Sequence, residues 1–329
     1  CARIGEIRSV VFAGFSAKAL ADRINDASCN ILLTSDGSYR GSKQLCLKAI
    51  ADKALELCSS ISSCIVLKRT GENISMKPKR DFWWKEETSK VSSLCKAQQM
   101  DSEDPLFILY TSGSTGRPKG VQHHCGGYMV YAEYSFRNVF QYNQNDIYWC
   151  TADIGWITGH TYIVYGPLLA GATTLMFEGV PTFPDAGRFW EICDKHQVNI
   201  FYTAPTAIRA LQAFGNEFPE KYDLSSLKTL GSVGEPINEE AWYWYNKYIG
   251  KEKCSIVDTW WQTETGGILI SPLSNITKTK PTYATLPLPG IQPCIVDLNG
   301  DELLGNNVQG NLCIKFPWPS MIRTIYGDH

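Results

Sequence analysis

Residues 199–260, NIFYTAPTAIRALQAFGNEFPEKYDLSSLKTLGSVGEPINEEAWYWYNKYIGKEKCSIVDTW, decide the fold. Three short apolar runs, NIFYTA, LKTLGSVG and CSIVDTW, are separated by two segments of helical period, Pro205–Phe214 and Asn238–Ile249. Asn238 is placed to cap the second helix, and Glu239 and Glu240 follow in its first turn, where negative charge suits the helix dipole. Strands alternating with helices in this way predict a parallel sheet with helices on its faces.

Working outward, the same alternation continues. Upstream lie LFILYT (strand), Gly126–Phe136 (helix), DIYWCT (strand), Thr158–Leu169 (helix), ATTLMF (strand) and Ala186–His196 (helix). Nearer the start, SVVFAG around Val10–Phe12 reads as a strand. Ser16–Ala27 reads as a helix with Ala17, Leu20, Ile24 and Ala27 on one face, followed by NILLTS, a helix over Lys43–Cys58, and CIVLK. Residues 70–104 have no clean period and read as an irregular surface excursion. After Ser271 short runs with Gly/Pro turns suggest a small β sub-domain. The expected organisation is α/β, with parallel-sheet sub-domains flanked by helices: a first sub-domain over 1–104, a second over 105–271, and the start of a small β sub-domain over 272–329.

Composition narrows the function classes. The 329 residues are 44% apolar and 19% charged, with 31 Lys+Arg against 33 Asp+Glu and a net charge of −2. That is ordinary globular composition, and it offers no general electrostatic grip on nucleic acid or anionic lipid. The 12 cysteines are scattered singly, with no CxxC pair, and many lie in apolar runs. They read as reduced thiols of an intracellular protein, cytoplasmic first, with organelle and nucleus left open. Residues 154–177 carry no Asp, Glu, Lys or Arg, yet they hold four glycines, Pro167 and His160. They read as a buried helix, a Gly-Pro break and a strand rather than a membrane span.

The chemistry concentrates in Tyr110-Thr-Ser-Gly-Ser-Thr-Gly-Arg-Pro-Lys-Gly120, directly after the strand LFIL. Three glycines and four hydroxyls allow a tight loop whose N–H and O–H groups wrap phosphate oxygens, and Lys119 adds charge. It is not a Walker A loop, because Pro precedes the lysine and Gly follows it. Glu264, in TETGG, read alone is a surface carboxylate, but its place at a strand end beside hydroxyls and two glycines is that of a ligand edge. His160 reads as structural. His123 and His124 read as polar residues near a helix.

YTSGSTGRPKG resembles the signature loop of the adenylate-forming superfamily. TADIGWITGHTYIVYGPLLAGATTLMFEGVP, FYTAPTAIR, GSVGEPIN and VDTWWQTETGG together resemble its acetyl-CoA synthetase family, over the whole chain. The resemblance implies ligation of acetate to ATP, giving acetyl-AMP and pyrophosphate, and then acetyl transfer to coenzyme A. Propionate or another short acid is the alternative substrate, and a nucleotide-binding module without turnover is the alternative of another class.

The resemblance also implies site roles. Thr111, Ser112, Gly113, Ser114, Thr115, Gly116 and Lys119 would cradle the phosphates. Gly234, Glu235 and Pro236 would line the adenine, and Asp258, Thr259, Trp260, Trp261, Gln262 and Thr263 the rest of the nucleotide. Ile157, Thr158, Val233 and Trp261 would form the acyl pocket, which the indole of Trp261 shortens. Thr158 and Thr182 would face coenzyme A, although the family commonly has Asn at the latter position, and Glu264 would hold Mg2+. Partners would be the small-molecule substrates acetate, ATP and coenzyme A, with no nucleic acid or membrane, and protein partners are left open. The chain is expected to be a central piece of the large N-terminal domain, inactive by itself. The mobile C-terminal domain and the basic residues that grip the coenzyme A nucleotide are expected to lie outside it.

Overall fold

The computed structural model describes residues 1–112 and 118–327, with only the backbone of Ser112 described. Its centre is a five-stranded, wholly parallel sheet in the order 255–258, 229–232, 200–203, 147–150, 173–175. Every residue of strands Ile200–Thr203 and Thr229–Ser232 is buried, as expected of a parallel sheet covered on both faces.

One apolar layer gathers Trp149, Phe189, Trp190, Phe201, Trp244 and Tyr245 under helices Arg188–His196, Pro205–Gln212 and Glu239–Trp244. The opposite layer gathers Phe136, Phe140, Tyr148, Tyr162 and Tyr202 under helix Cys125–Phe140 and the helical segment Ile157–Leu169. Aromatic rings meet edge-to-face through both layers, for example Phe140–Tyr202 at 4.9 Å.

A smaller parallel sheet, Ile31–Ser35, Ser63–Leu67 and Asp81–Trp83, forms the N-terminal part with helices Ala17–Asp26 and Leu47–Leu55. Asp36 ties its strand ends together. Its buried carboxylate accepts from the N–H groups of Gly37 (2.8 Å), Arg69 (2.7 Å), Thr70 (3.0 Å) and Gly71 (2.7 Å). Lys48, 1% exposed, lies 2.7 Å from Asp52 and 2.8 Å from the fully buried Asp81 side chain, so the third strand is fastened through charge. Toward the C-terminus, Pro293–Val296 and Asn311–Ile314 form an antiparallel pair.

Four expectations need correction. Val10–Phe12 is not a strand. The segment passes over Gly155, where a Cβ would meet the Phe12 backbone nitrogen at 2.9 Å, and it is pinned by Phe12 and Phe15 against Trp156. The excursion 70–104 contains strand Asp81–Trp83 and helix Trp84–Ser89, because the buried Asp81 is matched by Lys48 and Arg80. LFILYT does not join the parallel sheet. Pro105–Ser112 turns back on Pro118–His124 as an antiparallel pair, which Thr324–Ile325 extends. Helix 157–169 does not break at Gly166-Pro167. Its middle, His160–Tyr165, is wound as a wider π turn, and Pro167 sits in the first turn of the next helical segment, where a missing N–H costs nothing. At Asn238 the backbone has cap geometry, but the side chain makes no capping bond. Among the described residues no helix is long and apolar enough to cross a membrane.

Burial would raise the Asp36 carboxyl, but the four N–H bonds outweigh it and bring it down to about 2. A lowered carboxyl stabilises the fold above its unfolded value and loses that contribution as pH falls through the folded value. Asp36→Ala is therefore expected to cost roughly 1–3 kcal/mol in urea unfolding at pH 7, with the gap to wild type closing between about pH 4 and pH 2.

Candidate functional site

The chain builds the 147–150 strand first, places 173–175 on one side of it and then 200–203 on the other. Ligands of open α/β sheets settle at the carboxyl ends of strands beside such a reversal. Those ends are lined with hydroxyls. Thr151 and Thr203 share a hydrogen bond of 2.6 Å across the reversal. Tyr202 and Thr259 share one of 2.7 Å, and the Thr259 hydroxyl donates to the Ser232 carbonyl at 2.8 Å.

The two neighbouring strand ends bring together the segments assigned to the nucleotide. After Ser232 come buried Val233, exposed Gly234 at φ +98°, half-buried Glu235 and exposed Pro236. The left-handed φ requires glycine at 234 and turns the backbone outward, leaving open space where a Cβ would lie. Arg209, from the helix after strand 200–203, donates to Glu235 at 2.7 Å. Strand 255–258 ends on buried Asp258, and after it come buried Thr259, half-buried Trp260, Trp261 and Thr263, and exposed Gln262 and Glu264.

The loop 262–268 is irregular, yet Thr265–Ile268 are buried, so its carbonyls need partners. Thr265 Oγ1 accepts from the Gln262 N–H at 3.0 Å and shares its one proton between the Gln262 and Gly267 carbonyls, each at 2.9 Å. His123 Nε2 reaches the Thr263 carbonyl at 2.8 Å, and the Ile322 N–H donates to the Glu264 carbonyl at 3.1 Å. Trp318 Nε1 (2.9 Å) and Ser320 Oγ (2.6 Å) both donate to Thr265. Thr161 Oγ1 donates to Gly266 at 2.9 Å, and Tyr131 OH to Ile268 at 2.8 Å. Gly266 lacks room for a side chain, since a Cβ would meet the Ser320 carbonyl at 2.5 Å.

His123, Thr161, Tyr131, Trp318 and Ser320 thus hold the loop, and sequence reasoning assigned none of them to the site. His123, close after the YTSGSTGRPKG loop, and Thr161, inside the WITGHTY segment, lay by motifs that could have flagged them. Burial lowers the imidazoles of His123 and His160 to about 4, so both are neutral at pH 7. His123 then serves as an N–H donor to Thr263, not as a base.

Trp261 stands between two apolar clusters. One side packs with the group containing Val233 and Tyr162, whose ring it meets at 5.0 Å and 89°. The other packs with the group containing Ile157, Phe107 and Tyr165. Ile157 and half-buried Thr158 belong to a tight turn, Ile157–Gly159. A Cβ at Gly159 would lie 2.3 Å from the Asp153 carbonyl, which fixes glycine there.

Thr111 is half-buried and faces exposed Lys119 across the antiparallel pair. Gly113, Ser114, Thr115 and Gly116 lie outside the described residues. Thr182 is half-buried and precedes Phe183, which lines a cavity of about 580 Å3 together with Tyr39, Arg69, Glu178 and Arg188. Arg69 pairs with Glu178, and Arg188 with Glu191 at 2.8 Å. Among the described residues no group of three or more His, Cys, Asp or Glu side chains could hold a metal. A single exposed carboxylate on a backbone-anchored loop suits Mg2+, which takes one or two carboxylates and fills its shell with phosphate oxygens and water.

Comparison with known proteins supplies a family. The model of the AMP-binding enzyme family matches residues 1–326. The chain belongs to the AMP-binding enzyme family. It is 58% identical over 329 residues to the acetyl-coenzyme A synthetases of Desulfatibacillum aliphaticivorans and Alkalilimnicola ehrlichii, covering all of this chain and 51% of each relative. The acetyl-coenzyme A synthetase of Rhodopirellula baltica is 58% identical over 332 residues, with 49% of its length covered. The chain therefore spans about half the length of the curated relatives it matches.

Two outcomes follow for this AMP-binding domain. Burial raises the Asp258 carboxyl from 3.8 to about 6. The folded state then holds its proton more tightly than the unfolded one, and stability declines as pH rises from about 4 to about 6. Asp258→Asn is expected to be more stable than wild type at pH 7.5, by up to about 3 kcal/mol, with no advantage at pH 4, as read by urea unfolding at both. Thr265→Val keeps the volume but removes the hydroxyl. It is expected to cost roughly 1–3 kcal/mol and to raise amide exchange across 262–268.

Proposed function

We propose that the protein is an AMP-forming acetate–coenzyme A ligase. A carboxylate oxygen of the acid attacks the α-phosphorus of ATP and pyrophosphate leaves. The coenzyme A sulfur then attacks the acyl carbonyl and AMP leaves. A carboxylate is inert to a thiol because its oxygen leaves poorly, and adenylation removes that obstacle. The observation that supports the reading is the indole of Trp261, packed between the apolar cluster that holds Val233 and the one that holds Ile157, three residues after Asp258. In this reading the rigid ring bounds the acyl pocket and excludes longer acids, and each excluded methylene is worth about 1–3 kcal/mol.

In this reading Gly234, Glu235 and Pro236 line the adenine, with Arg209 holding the Glu235 carboxylate in place. Asp258–Thr263 flank the sugar and α-phosphate. Thr111 and Lys119 with residues 112–116 enclose the departing pyrophosphate, where the lysine offsets the charge gathering on the leaving group. Glu264 would hold Mg2+, which supplies charge neutralisation on the phosphates when bound. The nucleophile is already an anion, so no general base is needed, which fits the neutral state of His123 and His160. Coenzyme A passes Thr158 and Thr182, beside the cavity that Phe183 lines. Free cysteines throughout support a reducing, intracellular setting.

The test is carboxylate-dependent exchange of pyrophosphate into ATP by the full-length protein. Exchange is expected with acetate, with kcat/KM falling about tenfold or more at propionate and again at butyrate. Trp261→Gly, checked for an unchanged melting curve, is expected to shift the preference to longer acids. Absence of exchange with every acid would overturn the reaction, and an unshifted preference in the folded variant would overturn the pocket.

A further inference from the structure

Twelve cysteines scattered singly in sequence give no pair by spacing, but the fold sets two of them opposite each other. In the antiparallel pair Pro293–Val296 with Asn311–Ile314, Cys294 stands directly opposite Cys313. The Lys315 N–H donates to the Gln292 carbonyl at 2.9 Å, so 292/315 is a hydrogen-bonded pair. Two residues further along the ladder, 294/313 is one as well. Such pairs set Cα atoms about 5.5 Å apart with both side chains on one face, inside the window that a disulfide spans. Ile314 packs on the buried cluster, so its neighbour Cys313 points the other way, to the surface. Cys313 is exposed, Cys294 is half-buried, and both are thiols.

We infer that Cys294 and Cys313 form a reversible, cross-strand redox site. The oxidant is a low-molecular-weight disulfide of the glutathione class. The exposed Cys313 thiolate attacks one sulfur of the oxidant, and one glutathione thiolate leaves. Cys294 then attacks the Cys313 sulfur, and the second glutathione leaves. The two thiol protons end on the two glutathiones, so two protein thiols are oxidised while one glutathione disulfide is reduced. The bond would close the loop 295–312, which carries the fully solvated Leu298 (96% exposed) and Leu304 (81% exposed). It would also fasten the strand that runs on to Trp318 and Ser320, the two donors to Thr265. The inference stands on register and exposure, independently of which ligand the site takes.

The test uses the full-length protein, equilibrated in glutathione disulfide or in dithiothreitol, then nicked briefly by a protease in the exposed loop 297–310. After oxidation the two fragments are expected to stay joined on a denaturing, non-reducing gel and to part on reduction. Peptide mapping is expected to show the Cys294–Cys313 link with the loss of two hydrogens. Cys294→Ser and Cys313→Ser should each abolish the joining, with Cys294→Ser carrying a glutathione on Cys313 instead. Cys95→Ser, at another exposed thiol, should leave the joining intact. Fragments that part without reductant, a link that persists in Cys313→Ser, or glutathione on both residues with no internal bond would overturn it.

Discussion

Buried irregular backbone is costly unless each carbonyl finds a donor, and the loop 262–268 meets that demand by drawing on the rest of the molecule. Its carbonyls are taken by His123 from the antiparallel pair, Tyr131 and Thr161 from two helices, and Trp318, Ser320 and Ile322 from the C-terminal segment. None of these elements belongs to the parallel sheet. The loop is thus the place where hairpin, helices and C-terminal strap are referred to one another. Lys119, four residues before His123 on the same strand, is placed relative to Glu264 by that arrangement.

The parallel sheet does a different job. Its interior is fully buried and densely aromatic, which fixes the strand ends as a rigid edge. Polar groups are then tolerated at that edge because they satisfy one another in a chain from Tyr202 through Thr259 to the Ser232 carbonyl. Asp258 breaks the pattern. Burial lifts its carboxyl to about 6, and the strain of holding it ionised at neutral pH is borne by the fold.

How much of this could be read in advance follows from which interactions are local. The alternation over 199–260 gave the right elements, because period and turn residues are properties of neighbouring positions. The strand Pro118–His124 was missed, since PKGVQHH has little alternation and owes its shape to pairing with 105–112. Val10–Phe12 looked like a strand by composition, yet pairing with strand 105–112 stops at a single bridge, Arg8 to Phe107, and the segment then turns onto Gly155 and Trp156. The site motifs were legible as motifs. The residues that hold them lie far away in sequence, 53 positions from Trp318 to Thr265 and 137 from Tyr131 to Ile268, and no spacing rule connects them.

The two sides of the candidate site are fastened unequally. On the nucleotide side the backbone is saturated with buried hydrogen bonds from four directions. On the side of Thr182, the cavity between Tyr39 and Arg188 is bridged by Arg69 and Glu178, each with its side chain at least 40% exposed. Exposed pairs of that kind contribute about 0–1 kcal/mol and weaken with salt. A long, flexible cosubstrate that must enter after the first half-reaction needs an approach that yields at little cost, whereas a phosphoryl transfer needs donors that do not move. On the reading proposed above, buried hydrogen bonds hold the 262–268 loop where the adenylate would form, and exposed ion pairs lie where the second substrate would enter.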